Sequence, residues 1–225
     1  MTEVWAGMAT LSERAGSRAM SIDSLLPQVD RLIVTLGDTL GDQAKFAACP
    51  TAHGDVIFLG VDDDIVYPPD YVETIVAGLA RYPGCIVSFH GWTMDATGER
   101  VDNYRCLEAV EEDVDVHVAG TGVCAFRVDA IRPTRSDFET KNADVWLALK
   151  AARDGIPRVV LAHPARWFGY YEPMGSRTMW TESAYKTGSP LDASEGRDRC
   201  IAMLAEIVRE REPLDETWPG HIVRP

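Results

Sequence analysis

The chain has 225 residues, and 35 Asp and Glu against 22 Lys and Arg give it a formal net charge of −13 at pH 7. Hydrophobic residues make up 46% of the sequence, which is enough for the core of one large domain and excludes a disordered or fibrous chain. A negative charge of this size would repel nucleic acid, and no apolar run reaches the ~18 residues that a membrane span requires.

The N-terminus and the cysteines indicate the compartment. The acidic Glu3 stands where a signal peptide carries Lys or Arg, and no long apolar segment follows it. The five cysteines are widely spaced and include no Cys-x-x-Cys pair, so we expect reduced thiols rather than disulfides or zinc ligands. These features predict a cytoplasmic protein.

Short apolar runs alternate with amphipathic segments along the chain. Four of the apolar runs are nearly continuous, as expected for strands that are covered by helices on both faces, and this order predicts an α/β fold with a mostly parallel sheet. Residues 168–193, rich in Gly, Ser, Thr and aromatics, are predicted to form a long loop. The predicted elements, in chain order, are a strand at 4–9, a helix at 12–26, strands at 32–36 and 56–61, a helix between 68 and 83, strands at 85–89 and 123–128, a helix at 142–153, a strand at 158–162 and a helix at 195–211.

Three consecutive carboxylates, Asp62, Asp63 and Asp64, follow the third predicted strand. Ligands of open α/β sheets bind at the carboxyl ends of the strands, and adjacent carboxylates repel one another unless a cation neutralises them. Oxygen ligands of this kind suit Mg²⁺ or Mn²⁺, although an acidic turn before a helix is the alternative interpretation. Asp113 and Asp115 repeat the spacing but follow two glutamates instead of an apolar strand, so we expect a solvated acidic turn there.

The segment from Asp62 to Tyr71, in which an apolar strand ends in aspartates and Pro69-Asp70 opens a helix, resembles the metal-binding segment of GT-A fold glycosyltransferases, particularly the family 2-like group. The resemblance implies a single-domain, Rossmann-like GT-A fold with a mostly parallel sheet flanked by helices. Residues 1–170 would form the core that binds nucleotide-sugar and acceptor. Residues 171–225 would add a C-terminal loop and helix packed on the same domain.

The same resemblance implies roles for the three aspartates. Asp64 would be the principal ligand of Mn²⁺ or Mg²⁺, and Asp62 and Asp63 would supply a second ligand and an acceptor for the ribose of the donor. The metal would bridge the diphosphate of a nucleotide-sugar and stabilise the charge of the leaving group.

Two further segments match the family pattern in part. Thr10, Leu11 and Arg14 follow the first strand, where the family grips the donor nucleobase, although Ala9 replaces the usual proline and a plain helix start is equally consistent with the sequence. Gly120 and Gly122 would let the backbone approach the donor sugar or the acceptor. They match a dinucleotide-binding pattern on paper, but they precede a strand instead of joining a strand to a helix, which argues against NAD.

Asp144 and His163 complete the predicted site. Asp144 opens a helix where family 2-like enzymes carry the base that deprotonates the acceptor hydroxyl, although Ala143 replaces the first acid of that motif and a carboxylate at a helix start is also stabilising in itself. His163 follows the last strand, where many GT-A enzymes take a further metal ligand. A hydrogen-bonded surface histidine is the alternative.

These assignments predict a metal-dependent, inverting glycosyltransferase that moves a sugar from a nucleotide-diphosphate donor to a hydroxyl of a glycan, small-molecule or protein acceptor. Two alternatives remain open at this stage. One is a nucleotidyltransferase of related fold, and the other is a degenerate transferase that binds a sugar or a partner without turnover.

Overall fold

The computed structural model describes residues 2–38, 40–139, 141–170 and 194–211. Each strand and helix predicted from the sequence overlaps an observed one. The helices are α1 (Ala15–Leu25), α2 (Tyr71–Arg81), α3 (Ala143–Asp154) and α4 (Ser194–Arg211). The strands are β1 (Glu3–Thr10), β2 (Arg31–Leu36), β3 (Val56–Asp62), β4 (Ile65–Val66), β5 (Ile86–Ser88), β6 (Gly91–Met94), β7 (Arg100–Tyr104), β8 (Val114–Asp115), β9 (Val118–Ala119), β10 (Val123–Arg127), β11 (Arg158–Val160) and β12 (Gly169–Tyr170).

The central sheet has the strand order β2-β1-β3-β10-β5-β11-β8 among the described residues. In this sheet β1 pairs in parallel with both β2 and β3, and β11 pairs in parallel with β5. The two exceptions are β10 and β8, which run antiparallel to their neighbours. The prediction of an α/β fold with a mostly parallel sheet flanked by helices is therefore confirmed.

The apolar strand β3 is buried on both faces because successive side chains point to opposite sides of the sheet. Phe58 belongs to the core cluster that α3 and α4 cover, whereas Leu59 and Val61 belong to the cluster that α2 covers. Helix α4 packs on α3, where the Cys200 thiol contacts the carbonyl oxygen of Val145 at 3.3 Å. The described helix α4 thus contributes to the same core cluster as α3, and residues 171–193 and 212–225 of the predicted C-terminal region lie outside the described residues.

Residues 91–119 contain strands that the sequence analysis did not predict. β6 pairs with β7 and β9 in a small antiparallel sheet beside the central one. The solvated acidic turn predicted at Asp113 and Asp115 is wrong, because Asp115 lies in β8 and the Asp113 carboxylate accepts hydrogen bonds from Arg81 at 3.0 Å, the Tyr82 hydroxyl at 2.8 Å and the Ala162 backbone at 2.7 Å. No helix in the described ranges is long and apolar enough to cross a membrane.

The close contact between β1 and residues 41–46 generates a stability prediction. A Cβ on Gly7 would lie 1.9 Å from the Lys45 carbonyl oxygen, so Gly7→Ala should lower the free energy of unfolding by at least ~2 kcal/mol through overpacking. Gly16 lies in α1, and a Cβ placed on it would have nothing within 4 Å, so Gly16→Ala should leave stability unchanged or raise it by up to ~1 kcal/mol. Urea unfolding of both variants checks this, and equal effects would contradict the contact.

Candidate functional site

The carboxyl ends of β1 and β3 open into a cavity of about 820 Å³, a size typical of ligand sites. Because β10 runs antiparallel to β3, with Val123 opposite Val61, the start of β10 lies at the same edge. The start of α3 closes one side of the cavity, and the small antiparallel sheet forms another. The predicted residues that line it are Arg14, Asp62, Asp63, Asp64, Gly120, Gly122 and Asp144.

The first charged group in this cavity is centred on Asp63, which is almost completely buried. Its carboxylate accepts a hydrogen bond from the Thr10 hydroxyl at 2.5 Å and forms an ion pair with Arg14 Nη1 at 2.5 Å. Burial raises the pKa of Asp63, and the hydrogen bond from Thr10 and the charge of Arg14 oppose that effect. The two carboxylate oxygens of Asp63 are thus bound by Thr10 and Arg14. The geometry therefore does not support the predicted role of Asp63 as a hydrogen-bond acceptor for a ribose.

Thr10 and Leu11 are buried and do not line the cavity, in contrast to the nucleobase contact predicted for them. Arg14 is the member of that loop that faces the cavity. Its Nη2 contacts Asp64 at 3.0 Å, so one guanidinium bridges Asp63 and Asp64.

Asp64 is mostly buried and carries a perturbed carboxyl. Burial and the nearby charge of Asp62 raise its pKa from 3.8 to about 6, although Arg14 acts in the opposite direction. The Tyr170 hydroxyl lies 3.4 Å from its Oδ2. Asp64 is therefore a carboxyl that a further cation at this edge would stabilise in its charged form.

The second charged group is centred on Lys45, whose side chain is 2% exposed. Its ammonium forms an ion pair with Asp62 and lies 3.4 Å from the Thr121 hydroxyl. Burial lowers the pKa of Lys45, but the charges of Asp62, Asp42 and Asp144 outweigh it and raise the pKa above its ordinary value. The buried Lys45 ammonium thus pairs directly with Asp62 and also compensates the negative charge of Asp42 and Asp144.

Asp144, the predicted base, is held at the start of α3 by Thr121. The backbone N–H and the hydroxyl of Thr121 both donate to Asp144 Oδ1, at 2.8 and 2.5 Å. Within the part of the chain that the structure describes, its second oxygen, Oδ2, accepts no hydrogen bond. Asp144 therefore has a fixed orientation and an oxygen available to a ligand.

The start of α3 is capped by a side chain from a distant part of the sequence. Asp42 accepts hydrogen bonds from the backbone N–H groups of Asn142 at 3.0 Å and Ala143 at 2.7 Å. Asn142 adopts a left-handed conformation, with φ of 82°, which is strained for a non-glycine residue. A capped and strained backbone thus sets the position of Asp144 two residues later.

The two glycines before β10 allow the backbone to lie close to Asp62 and to His90. A Cβ on Gly122 would lie 2.0 Å from Asp62 Oδ2, and one on Gly120 would lie 2.8 Å from the His90 ring. Tyr67 joins the same parts, because its hydroxyl donates to the Gly122 carbonyl at 2.6 Å and accepts from the Asp62 N–H at 2.8 Å. Gly120 and Gly122 line the cavity, and their requirement for glycine comes from contacts within the protein, whereas their predicted approach to a donor sugar or an acceptor stays a prediction.

His163 lies apart from this group of residues. It is buried against Phe89 and Phe168, its Nδ1 is 2.7 Å from the Leu161 carbonyl oxygen, and its Nε2 is 3.4 Å from the Arg105 carbonyl oxygen. His163 does not line the cavity, and both of its ring nitrogens are directed at carbonyl oxygens. It therefore presents no nitrogen lone pair to a metal ion in the cavity. The geometry therefore does not support the predicted metal-ligand role of His163.

Several residues of the cavity were missed by the sequence analysis. Lys45 and Asp42 lie in a short 3₁₀ helix, Gly41–Phe46, that carries no recognisable motif. His90 follows β5, and burial lowers its pKa while the charge of Asp144 opposes the shift. Only the general expectation that ligands bind at strand ends could have selected His90 from the sequence.

The donor set fits a divalent cation only in part. Among the described residues, no three His, Cys, Asp or Glu side chains are grouped closely enough to hold a metal ion. Asp63 is enclosed by Thr10 and Arg14, whereas the Asp62 and Asp64 side chains, 40% and 14% exposed, face the cavity. Two carboxylates suit Mg²⁺ or Mn²⁺ when phosphate oxygens and water complete the shell.

Comparison with known proteins identifies the fold and no family. No protein-family model and no curated protein matches the sequence. Among solved structures, that of A197 from STIV matches with a TM-score of 0.51 and 13% sequence identity, over 77% of this chain and 87% of that one. At this identity the likeness supports a shared fold and nothing about the chemistry.

The raised pKa of Asp64 predicts the pH dependence of stability in metal-free protein. Because its folded-state pKa of about 6 exceeds the ordinary 3.8, the folded protein holds this proton more tightly than the unfolded chain. The stability contributed by Asp64 is complete below about pH 4 and is lost as the pH rises through about 6. The wild type should therefore lose up to roughly 3 kcal/mol between pH 4 and 7 relative to Asp64→Asn.

Urea unfolding in EDTA, at intervals from pH 4 to 7, measures this difference. Asp23→Asn is the matched control, because Asp23 is exposed on α1 and does not line the cavity. Its pH profile should follow that of the wild type. If the Asp64→Asn profile also follows it, Asp64 does not titrate in the way the geometry implies.

Proposed function

We propose that this protein is a metal-dependent glycosyltransferase of GT-A type, which moves a sugar from a nucleotide-diphosphate donor to an acceptor hydroxyl. The observation that supports it most directly is the juxtaposition, in one cavity at the strand ends, of Asp62 and Asp64 with Asp144. The first two suit a cation bound to a diphosphate. The third is a fixed carboxylate on the other side of the same cavity.

The charge of the cavity differs from that of the whole chain. The chain carries a net charge of −13, whereas the cavity is lined by one more basic than acidic side chain. The cavity therefore lacks the excess of negative charge that would repel a phosphate group. The basic residues are Arg14, Lys45, Arg100, Arg105, Lys141 and Arg197, and the acidic ones are Asp42, Asp62, Asp63, Asp64 and Asp144.

In the proposed reaction, Asp144 Oδ2 accepts the proton of the acceptor hydroxyl as its oxygen forms a bond to the anomeric carbon. The bond from that carbon to the diphosphate breaks, and the nucleoside diphosphate leaves with the electron pair. Thr121 keeps the carboxylate of Asp144 oriented through both of its donors. The sugar transfers with inversion, because attack and departure occur on opposite faces.

The chain's own cations assist departure of the diphosphate. Arg14 and Lys45 lie at the strand end, where negative charge accumulates on the leaving group, and fixed charges in a partly dehydrated site stabilise it strongly. A divalent cation held by Asp62 and Asp64 would supply further charge neutralisation there.

The first test is binding of the donor nucleotide. We expect calorimetric titration with UDP and GDP to show binding of one of them in Mn²⁺ and none in EDTA, and we expect Asp62→Ala to weaken that binding by at least ~10-fold. Asp23→Ala is the control with unchanged affinity. If neither nucleotide binds under any of these conditions, the proposed donor class is wrong.

The second test addresses the proposed base. Asp144→Asn retains an oxygen for Thr121, so it should keep donor affinity, yet it should lower the rate by at least ~10²-fold because an amide cannot accept the proton. Release of nucleoside diphosphate from a bound nucleotide-sugar, with water as acceptor, provides the rate. A rate equal to that of Asp23→Asn would exclude Asp144 as base. Donor binding without release in the wild type would instead indicate a degenerate binding protein.

A further inference from the structure

Three arginines line the part of the cavity that the donor site does not use. Arg100 begins β7, Arg105 follows that strand, and Arg197 lies in the first turns of α4. The turn before β7 packs on α4, since a Cβ on Gly98 would lie 2.9 Å from Ile201 Cγ2. This contact brings the turn before β7 and α4 together, and the three arginines line the same cavity.

The side chain of Arg100 is oriented by an aromatic residue. Its guanidinium carbon lies 4.5 Å from the ring centroid of Trp92, which is itself buried at the cavity wall. Such stacking fixes the plane of the guanidinium while its N–H groups stay available. Its hydrogen bond to Asn103 Oδ1 is long, at 3.4 Å, and among the described residues no carboxylate lies within ion-pair distance of it.

Within the described part of the chain, the ion pairs of the other two arginines are weak and exposed. Arg105 lies 3.8 Å from Glu108, with both side chains more than 60% exposed, and Arg197 contacts its neighbour Asp198 at 3.0 Å. Ion pairs of this kind contribute little and are readily exchanged. The guanidinium groups of both residues are therefore available to a ligand in the cavity.

The three positive charges are close enough to affect one another. Burial lowers the pKa of Arg100, and the charges of Arg105 and Arg197 lower it further, whereas Asp144 is the carboxylate that opposes them. Among the described residues, the carboxylates that pair with Arg105 and Arg197 are Glu108 and Asp198, and neither of these lines the cavity. Like charges held together in this way are stabilised when an anion binds between them.

We infer that Arg100, Arg105 and Arg197 form a subsite for an oxyanion, a phosphate or a carboxylate, carried by the acceptor. The identification of the ligand as the acceptor rests on the proposed function, whereas the existence of the anion site does not. The donor's diphosphate has its own cations, Arg14 and Lys45, at the strand end. Asp144 lines the same cavity as Lys45 and the three arginines, so the hydroxyl of an acceptor held by the arginines would be in the same cavity as this carboxylate.

Small probes test the anion site without any donor. Glycerol 3-phosphate and glycerate each carry a hydroxyl beside an oxyanion, and glycerol is the neutral control. In ligand-observed NMR titrations of the full chain we expect both anions to bind and glycerol not to bind. Arg100→Gln and Arg197→Gln should each weaken the binding about tenfold, the usual effect of a charge-assisted contact.

Arg31→Gln is the matched control, because Arg31 is exposed on β2 outside the cavity. It should leave the affinity for both anions unchanged. If Arg100→Gln and Arg197→Gln bind the anions as well as the wild type does, the subsite is wrong. If both variants do weaken binding, the ratio of the wild-type affinities for glycerol 3-phosphate and glycerate distinguishes a phosphate-bearing from a carboxylate-bearing ligand.

A competition experiment separates this inference from the proposed function. With saturating UDP or GDP and Mn²⁺, the anions should keep their affinity, because donor and acceptor bind together. Displacement of the anions by the nucleotide would mean that the three arginines hold the donor diphosphate, which overturns the acceptor assignment. If no nucleotide binds but anion binding still depends on Arg100, the proposed function fails and the anion site stands.

Discussion

Two buried cations among carboxylates determine the arrangement of this cavity. Arg14 binds Asp63 and Asp64, and Lys45 binds Asp62. Removing one partner of a buried ion pair typically costs ~3–5 kcal/mol, because the other charge is left uncompensated. The chain's own cations therefore compensate part of the charge of the three consecutive aspartates, and these ion pairs hold the end of β3 in a single geometry.

The same cations connect parts of the chain that are far apart in sequence. Lys45 reaches Asp62 on β3 and the Thr121 hydroxyl, and Thr121 in turn orients Asp144. The site is thus supported by the central sheet and by the start of α3, and a change at any of these contacts would affect the others. The glycine at 122 is a consequence, since only a residue without a side chain fits beside Asp62.

The sequence predicted the sheet well and the site only in part. A long strand such as β3 can be recognised in the sequence, because burial on both faces leaves a continuous run of apolar residues. Strands β6 and β9 are too short to show a hydrophobic periodicity. Adjacent carboxylates require compensating charge, and Arg14 and Lys45 are the cations that pair with them. Lys45 could not be identified from the sequence, because no motif surrounds it. The resemblance implies a nucleobase contact for Thr10, whereas the Thr10 hydroxyl donates to Asp63.

The self-neutralised cavity has a consequence for ligand binding. A divalent ion that bound Asp62 would replace Lys45 as its counter-charge, and the ammonium, still near Asp42 and Asp144, would become available to a phosphate oxygen. Metal and diphosphate would then favour each other's binding, because each compensates the charge that the other exposes. A cavity that contains both carboxylates and cations suits a ligand with both charges, a metal–diphosphate complex, better than it suits either component alone.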